Sequence, residues 1–218
     1  MIADGTQGAI LGYITQANIA CGGHAGDEDL MRRTVEQCLL HGVAIGAHPS
    51  YPDRENFGRV ELKMPEWELA DAITEQLFAL DRIVKPEGGR ITHVKPHGAL
   101  YNAAVRKPEV AAAIANGVEA YSPHVMVMAL ARSPMLQVID DYGLRTIAEG
   151  FADRRYESDG TLRARTRADA LITDPEEAAA QADRLAREGL AETVCIHSDT
   201  PGALAIVRAV SQRLQTRK

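Results

Sequence analysis

The segment "HVKPHGALYN", His93 to Asn102, places two imidazoles four residues apart around a lysine, directly after an apolar run. Imidazole titrates near neutral pH, so a histidine oriented by a carboxylate can take a proton from water and return it to a leaving group. A lysine between two such rings can hold an anionic group or stabilise developing negative charge. The same residue types also bind zinc and other divalent ions. His93 and His97 would share a face on a continuous helix, but Pro96 removes a backbone donor and biases Lys95 away from helical dihedrals. The helical metalloprotease pattern is therefore excluded. A strand followed by a turn still brings both rings within reach of one ion, so a divalent metal stays open at this point, with His93 and His97 as the pair it would use.

The pattern of a short apolar run ending in polar, chemically capable residues recurs along the chain. "NIACGGHAGD" carries Asn18, His24 and Asp27; "AHPSYPDRENFGR" carries His48, Asp53 and Arg59; "EGFADRRY" carries Glu149, Asp153 and Arg154; "IHSDTPGA" carries His197 and Asp199. Five of the seven histidines fall in such junctions, which points to a composite active site rather than to five unrelated histidines. Asp27 and Asp199 also read as helix N-caps. His41 reads as a cation at a helix C-terminus and His124 as a loop residue. Met126 and Met128 read as core filler, and Trp67 as helix packing.

The elements that must position these residues alternate in type. Strands are expected at Ile14 to Ala20, Val43 to Ala47, Ile91 to Val94, Val125 to Ala129, Arg145 to Ala148 and Val194 to Ile196. A helix capped by Asp27 should turn Leu30, Val35, Cys38 and Leu39 inward and stop at Gly42. Another should begin near Pro65 and bury Leu69, Ile73, Leu77 and Leu80. Further helices are expected at Pro108 to Ala120, Pro134 to Tyr142, Asp174 to Glu188 and Thr200 to Leu214. This order predicts an α/β fold with a parallel sheet, closed or open, whose chemistry lies at the carboxyl ends of the strands.

Composition removes several function classes. The 218 residues carry 24 basic and 30 acidic side chains with no basic cluster, which argues against a nucleic-acid partner. No apolar run is long enough for a membrane span, and "MIADGTQGAI" lacks the basic and apolar regions of a signal peptide, so a cytoplasmic location is expected. Three widely separated cysteines fit reduced thiols. Neither a G-x-x-x-x-G-K-[ST] phosphate loop nor a G-x-S-x-G elbow is present.

Together, "NIACGGHAGD", "GVAIGAHPSYPDRENFGR", "HVKPHGALYN", "EGFADRRY" and "HSDTPGA" resemble the LamB/YcsF family, in the family's order and over nearly the whole chain from about Ile14 onward. The resemblance implies an irregular seven-stranded β/α barrel of the glycoside hydrolase/deacetylase type, a single catalytic domain over residues 1–218. It implies ATP-dependent cleavage of 5-oxo-L-proline (pyroglutamate) to L-glutamate as the A component of a 5-oxoprolinase, with separate B and C subunits. ATP is then a co-substrate used with those partners, the lactam is the small-molecule ligand, and a homo-oligomer is compatible. Carried onto this chain, His24 with Asp27, His48 with Asp53, and His197 with Asp199 become candidate bases and orienting groups. Lys95 and His97 join them as catalytic candidates, while Asn18, Arg59, His93, Tyr101, Asn102, Glu149 and Arg154 are assigned to the substrate. The chain departs from the family in having no counterpart of an opening Asp-Leu-Asn-x-Asp-x-Gly-Glu segment, so the first strand is expected to be missing. It also lacks a longer insertion between Gly189 and Val194. The rival readings are a stand-alone metal-dependent amidohydrolase or deacetylase, and a non-catalytic substrate-binding subunit.

Overall fold

The computed structural model describes residues 6–216. In chain order the elements are α1 (Thr6–Leu11), β1 (Gln16–Ala20), α2 (Glu28–Leu40), β2 (Ala44–His48), α3 (Glu66–Val84), β3 (Ile91–Val94), α4 (Gly98–Arg106), α5 (Pro108–Tyr121), β4 (Met126–Leu130), α6 (Pro134–Asp141), β5 (Thr146–Phe151), α7 (Pro175–Arg187), β6 (Thr193–Cys195) and α8 (Ala203–Gln215). The six expected strands form within three residues of their predicted bounds. Two compact units result: residues 15–147, and residues 148–216 together with 6–14.

In the first unit, β1 to β4 pair in parallel with their chain neighbours. Strands covered on both faces need apolar residues at successive positions, and Ile45, Ala47, Val94, Val127 and Ala129 are buried accordingly. Asp27 caps α2 by accepting from the Leu30 amide at 2.8 Å, and Gly42, at φ 65°, closes its other end in the left-handed region that suits glycine. The inward stripe of α2 is Met31, Val35 and Cys38. Leu39, expected inside, is exposed; it follows Cys38 by one residue, about 100° round the helix from the stripe. Helix α3 buries Leu69, Ile73, Leu77 and Leu80 as expected. Trp67 is 68% exposed, a correction to its reading as packing, because two residues before Leu69 it lies on the opposite face. Met128 is core, while Met126 is only half-buried. His41 ends α2 with its ring against the Gln37 carbonyl, and His124 lies exposed in a turn.

Helix α4 was not expected. Residues 95–97 form neither helix nor strand, and His97 is extended at φ −96° and ψ 145°. The helix begins at the next residue, burying Leu100, Tyr101, Ala104 and Val105 at helical spacing. Helices α3 and α5 approach closely at Gly117, where a Cβ would lie 2.7 Å from the Ala70 carbonyl oxygen.

In the second unit, β5 and β6 pair in parallel, with Phe151 opposite Cys195. Asp174 caps α7 through the Glu177 amide. Alanines 178, 179 and 182 of α7 pack with Ile206 and Val210 of α8 around Ala152 and Ile172. Ile10 of α1 packs on Ala203 and Val207. Helix α8 starts three residues later than expected, because Thr200 to Gly202 form a turn ending at φ 78°. Among the described residues no helix is long and apolar enough to cross a membrane.

The α3–α5 contact yields a direct test. Gly117→Ala should lower unfolding stability by about 1–3 kcal/mol through overpacking, read as a lower urea midpoint with an unchanged slope. Unchanged stability would mean that the two helices separate without cost.

Candidate functional site

The polar junctions of the first unit meet in an imidazole cluster. His24 stacks on His97 with ring centroids 3.7 Å apart, and presents its edge to Phe57. His97 Nδ1 lies 3.0 Å from His48 Nε2, its Nε2 lies 3.0 Å from the Phe57 carbonyl oxygen, and His48 Nδ1 lies 2.6 Å from the Lys95 carbonyl oxygen. A carbonyl only accepts, so both outer nitrogens must donate, and one hydrogen is needed between the rings. Three hydrogens are required where two neutral imidazoles own two. Burial, and then the neighbouring His97, Lys95 and His24, hold His48 well below its usual pKa. Were both rings neutral, two hydrogens would serve three contacts; a third arrives only with a positive charge on the pair.

His93 is fully buried. Its Nε2 donates to Asn18 Oδ1 at 3.0 Å, and its Nδ1 lies 2.8 Å from the Thr92 hydroxyl. The ring fits because residue 46 is glycine: a Cβ there would sit 2.0 Å from His93 Nε2. Burial, followed by Lys95, pushes His93 down to about 4. His24 is pushed down to about 3 by burial, then by His97, Arg54 and Arg59, and its buried Nδ1 has no hydrogen-bond partner.

Lys95 is buried, its ammonium 5.9 Å from the Tyr101 ring centroid, while the exposed Arg59 lies over the Phe57 ring at 5.1 Å. Gln76 of α3 clamps the β2 junction: its Oε1 accepts from the Ser50 amide and its Nε2 donates to the Ser50 carbonyl. Sequence reasoning missed Gln76 because its helix carries no other junction residue. The Cys21 thiol, pushed up to about 12 by burial, accepts from the His48 amide and is no nucleophile. The first unit thus gathers His24, His48 and His93, each held below its usual pKa first by burial, with Lys95 acting on His48 and His93 and Arg59 on His24.

In the second unit the Asp153 carboxylate, fully buried, lies 3.0 and 3.1 Å from His197 Nδ1, accepts from the His197 amide at 2.9 Å and accepts from the Thr200 hydroxyl at 2.6 Å. Burial would raise its pKa, but the hydrogen bonds and charge of His197 and the Thr200 hydroxyl outweigh it and hold the group down at about 2. The His197 ring stacks on Phe151, with centroids 5.6 Å apart. Arg154 is buried and donates to the Arg163 carbonyl at 2.6 Å, while its Nε has no hydrogen-bond partner. Glu149 is also buried. A cleft of about 500 Å³ is lined by Arg155, Arg163 and Arg184, but these pair with Glu177, with Glu157 and Asp169, and with Glu188.

The expected His/Asp pairs form differently. Asp27 is exposed and caps α2, Asp53 holds the turn at Asn56 through Oδ1, and the Asp199 carboxylate meets Arg165 at 3.1 Å rather than capping α8. The carboxylate that orients His197 is Asp153, from the end of the neighbouring strand. A residue two positions along a turn points away, whereas adjacent parallel strands end side by side. Asn102 lies exposed on α4. Among the described residues no group of three or more His, Cys, Asp and Glu side chains is placed to hold a metal ion.

A profile of the LamB/YcsF family matches residues 2–218. Two proteins named as the A component of 5-oxoprolinase, from Chloroflexus aggregans and Heliobacterium modesticaldum, are 45% and 43% identical to the chain, each over 97% of it and 88% of the relative. The crystal structure of a lactam utilization protein from Thermus thermophilus superimposes with a TM-score of 0.90 at 38% identity, covering 96% of this chain and 88% of that one.

The buried imidazoles make stability pH-dependent. His24 and His93 have folded pKa values below the ordinary 6.5, so the unfolded chain binds more protons and stability rises with pH. Working downward, stability is lost from pH 6.5 towards about 4 for His93 and about 3 for His24. Each group contributes up to about 1.4 kcal/mol per pH unit. The urea midpoint should therefore fall between pH 7 and 5, and less steeply in His93→Gln; a flat midpoint over that range contradicts the neutral cluster.

Proposed function

The chain belongs to the LamB/YcsF family, and on that premise we propose that it is the A component of an ATP-dependent 5-oxoprolinase. It acts in the cytoplasm on 5-oxo-L-proline, yielding L-glutamate in cooperation with B and C subunits. The observation that carries this reading is 45% identity, over 97% of the chain, to a protein of that name.

The chemistry at the strand ends suits such a substrate. A lactam is a resonance-stabilised amide, and water attacks it slowly. Transfer of a phosphoryl group from ATP to the lactam oxygen makes the carbon electrophilic and the oxygen a leaving group. The partner subunits perform that activation, and this chain binds the activated lactam and completes its hydrolysis. In the first unit Lys95 and Arg59 meet the anionic parts of the substrate, a carboxylate and a phosphoryl group. His24, His48 and His97 supply the polar wall around it, with Asn18 and His93 fixing the wall's floor and Tyr101 and Asn102 bordering it. Asp27 and Asp53 hold the helix and the turn that carry these groups.

Reconstitution tests the reading. The chain mixed with its B and C partners, ATP and 5-oxoproline should release glutamate, and omission of any one component should abolish release. Lys95→Met should raise KM by roughly 10- to 100-fold, the loss of one charge-assisted contact. A complete mixture of folded proteins that forms no glutamate would overturn the assignment.

A further inference from the structure

The excursion that follows β5 folds back on the strand end and fixes Arg154 in place. Its backbone bridges to Leu171, and its carbonyl accepts from Gln181 Nε2 at 2.8 Å. The residue is only 6% exposed. Its Nη2 donates to the Arg163 carbonyl at 2.6 Å, and its buried Nε has no hydrogen-bond partner. Among the described residues that carbonyl is the one polar contact of the guanidinium.

The carboxylates around it are engaged by other groups. Asp153 accepts from the His197 amide and the Thr200 hydroxyl and lies against the His197 ring, while Asp199 meets Arg165 at 3.1 Å. Neither is in ion-pair contact with Arg154. Burial, and then the charge of Arg165, pull the Arg154 pKa down, although Asp153, Cys195 and Asp199 act in the other direction. The neighbouring Arg155 and Arg163 differ, since each pairs with a carboxylate in direct contact. A guanidinium withdrawn from water is rarely left unpaired, because it gives up hydration and regains no counter-charge.

We propose that Arg154, with Arg165 as a second cation, forms an oxyanion-binding site in the second unit. The ligand presents a carboxylate or a phosphoryl group, because each offers oxygens at the spacing that a guanidinium fork matches. The Nε hydrogen is already out of water, so a contact made there competes with little solvent. An oxyanion at this point supplies both the missing acceptor and the missing counter-charge. The site lies within one unit, and no step of lactam opening is routed through it.

Side-chain resonances of the full-length chain test the assignment without any enzymatic readout. In arginine-labelled protein near pH 7, the Nε–Hε signal of Arg154 is the one absent from Arg154→Lys. Inorganic phosphate or acetate, added at constant ionic strength against chloride, should move that signal saturably. The Nε–Hε signal of Arg165 should move with it in the wild type and stay in place in Arg154→Met. Arg165→Gln should weaken binding at Arg154 by about two- to five-fold, and it serves if Arg154→Met fails to fold. Tighter binding of phosphate assigns a phosphoryl ligand; acetate that binds at least as tightly assigns a carboxylate. An Arg154 signal that responds to neither anion overturns the inference. So does an Arg165 response that survives in folded Arg154→Met, or an affinity unchanged in Arg165→Gln. Glutamate release is read by none of these, so failure of the lactam reading and failure of the oxyanion site are separate results.

Discussion

An imidazole buried among strands keeps its place only if its nitrogens find partners and its charge is given up, and the first unit is organised by that constraint. His93 is fully buried, and the space for its ring exists because Gly46 opposite it has no side chain. Asn18 and Thr92 hold its nitrogens from β1 and from β3 itself. His48 and His97 bond to one another and to two backbone carbonyls, one of them from Phe57, which is held at φ 56°. A non-glycine residue in that region costs of order 1 kcal/mol or more, which the hydrogen bond to its carbonyl helps to offset. Burial first, and then the charges of neighbouring groups such as Lys95, Arg54 and Arg59, hold His24, His48 and His93 below their usual pKa.

The second unit solves the opposite problem. Asp153 is as buried as His93, yet it stays charged, because three donors converge on it. The same residue type, histidine at the end of a parallel strand, therefore has two electrostatic settings in one chain. In the first unit burial first, and the nearby cations second, hold the pKa of His24, His48 and His93 down. In the second unit an ionised carboxylate, Asp153, stands against Nδ1 of the His197 ring.

Much of the architecture is legible in the residues. Asp27, Gly42 and Asp174 mark helix ends by their own hydrogen bonding and backbone freedom, and the strands are short apolar runs that no other element could accommodate. Local pattern fails where tertiary packing overrides it. Leu39 is as apolar as Met31 but lies off the stripe that meets the sheet. Trp67 sits on the solvent side of α3. Helix α4 hides behind Pro96, whose effect ends one residue before the helix starts. Junction composition is similarly legible, since His24, His48, His93 and His97 do gather with Lys95 in the first unit. The pairing is not: sequence proximity suggests Asp199 for His197, whereas the hydrogen bonds run to Asp153, 44 residues away.

What the amino-acid sequence by itself determined is the order of elements, the strand-end placement of the polar residues and the family resemblance, because each follows from local spacing and side-chain type. What only the tertiary structure decided is which groups touch: that a missing Cβ at Gly46 houses His93, that His48 and His97 meet ring to ring and each reach a backbone carbonyl, and that the buried Asp153 carboxylate stands against the His197 ring. The physical reason is that basicity depends on burial and on the nearest few polar atoms. In a parallel sheet those atoms come from neighbouring strands, which are distant in the chain.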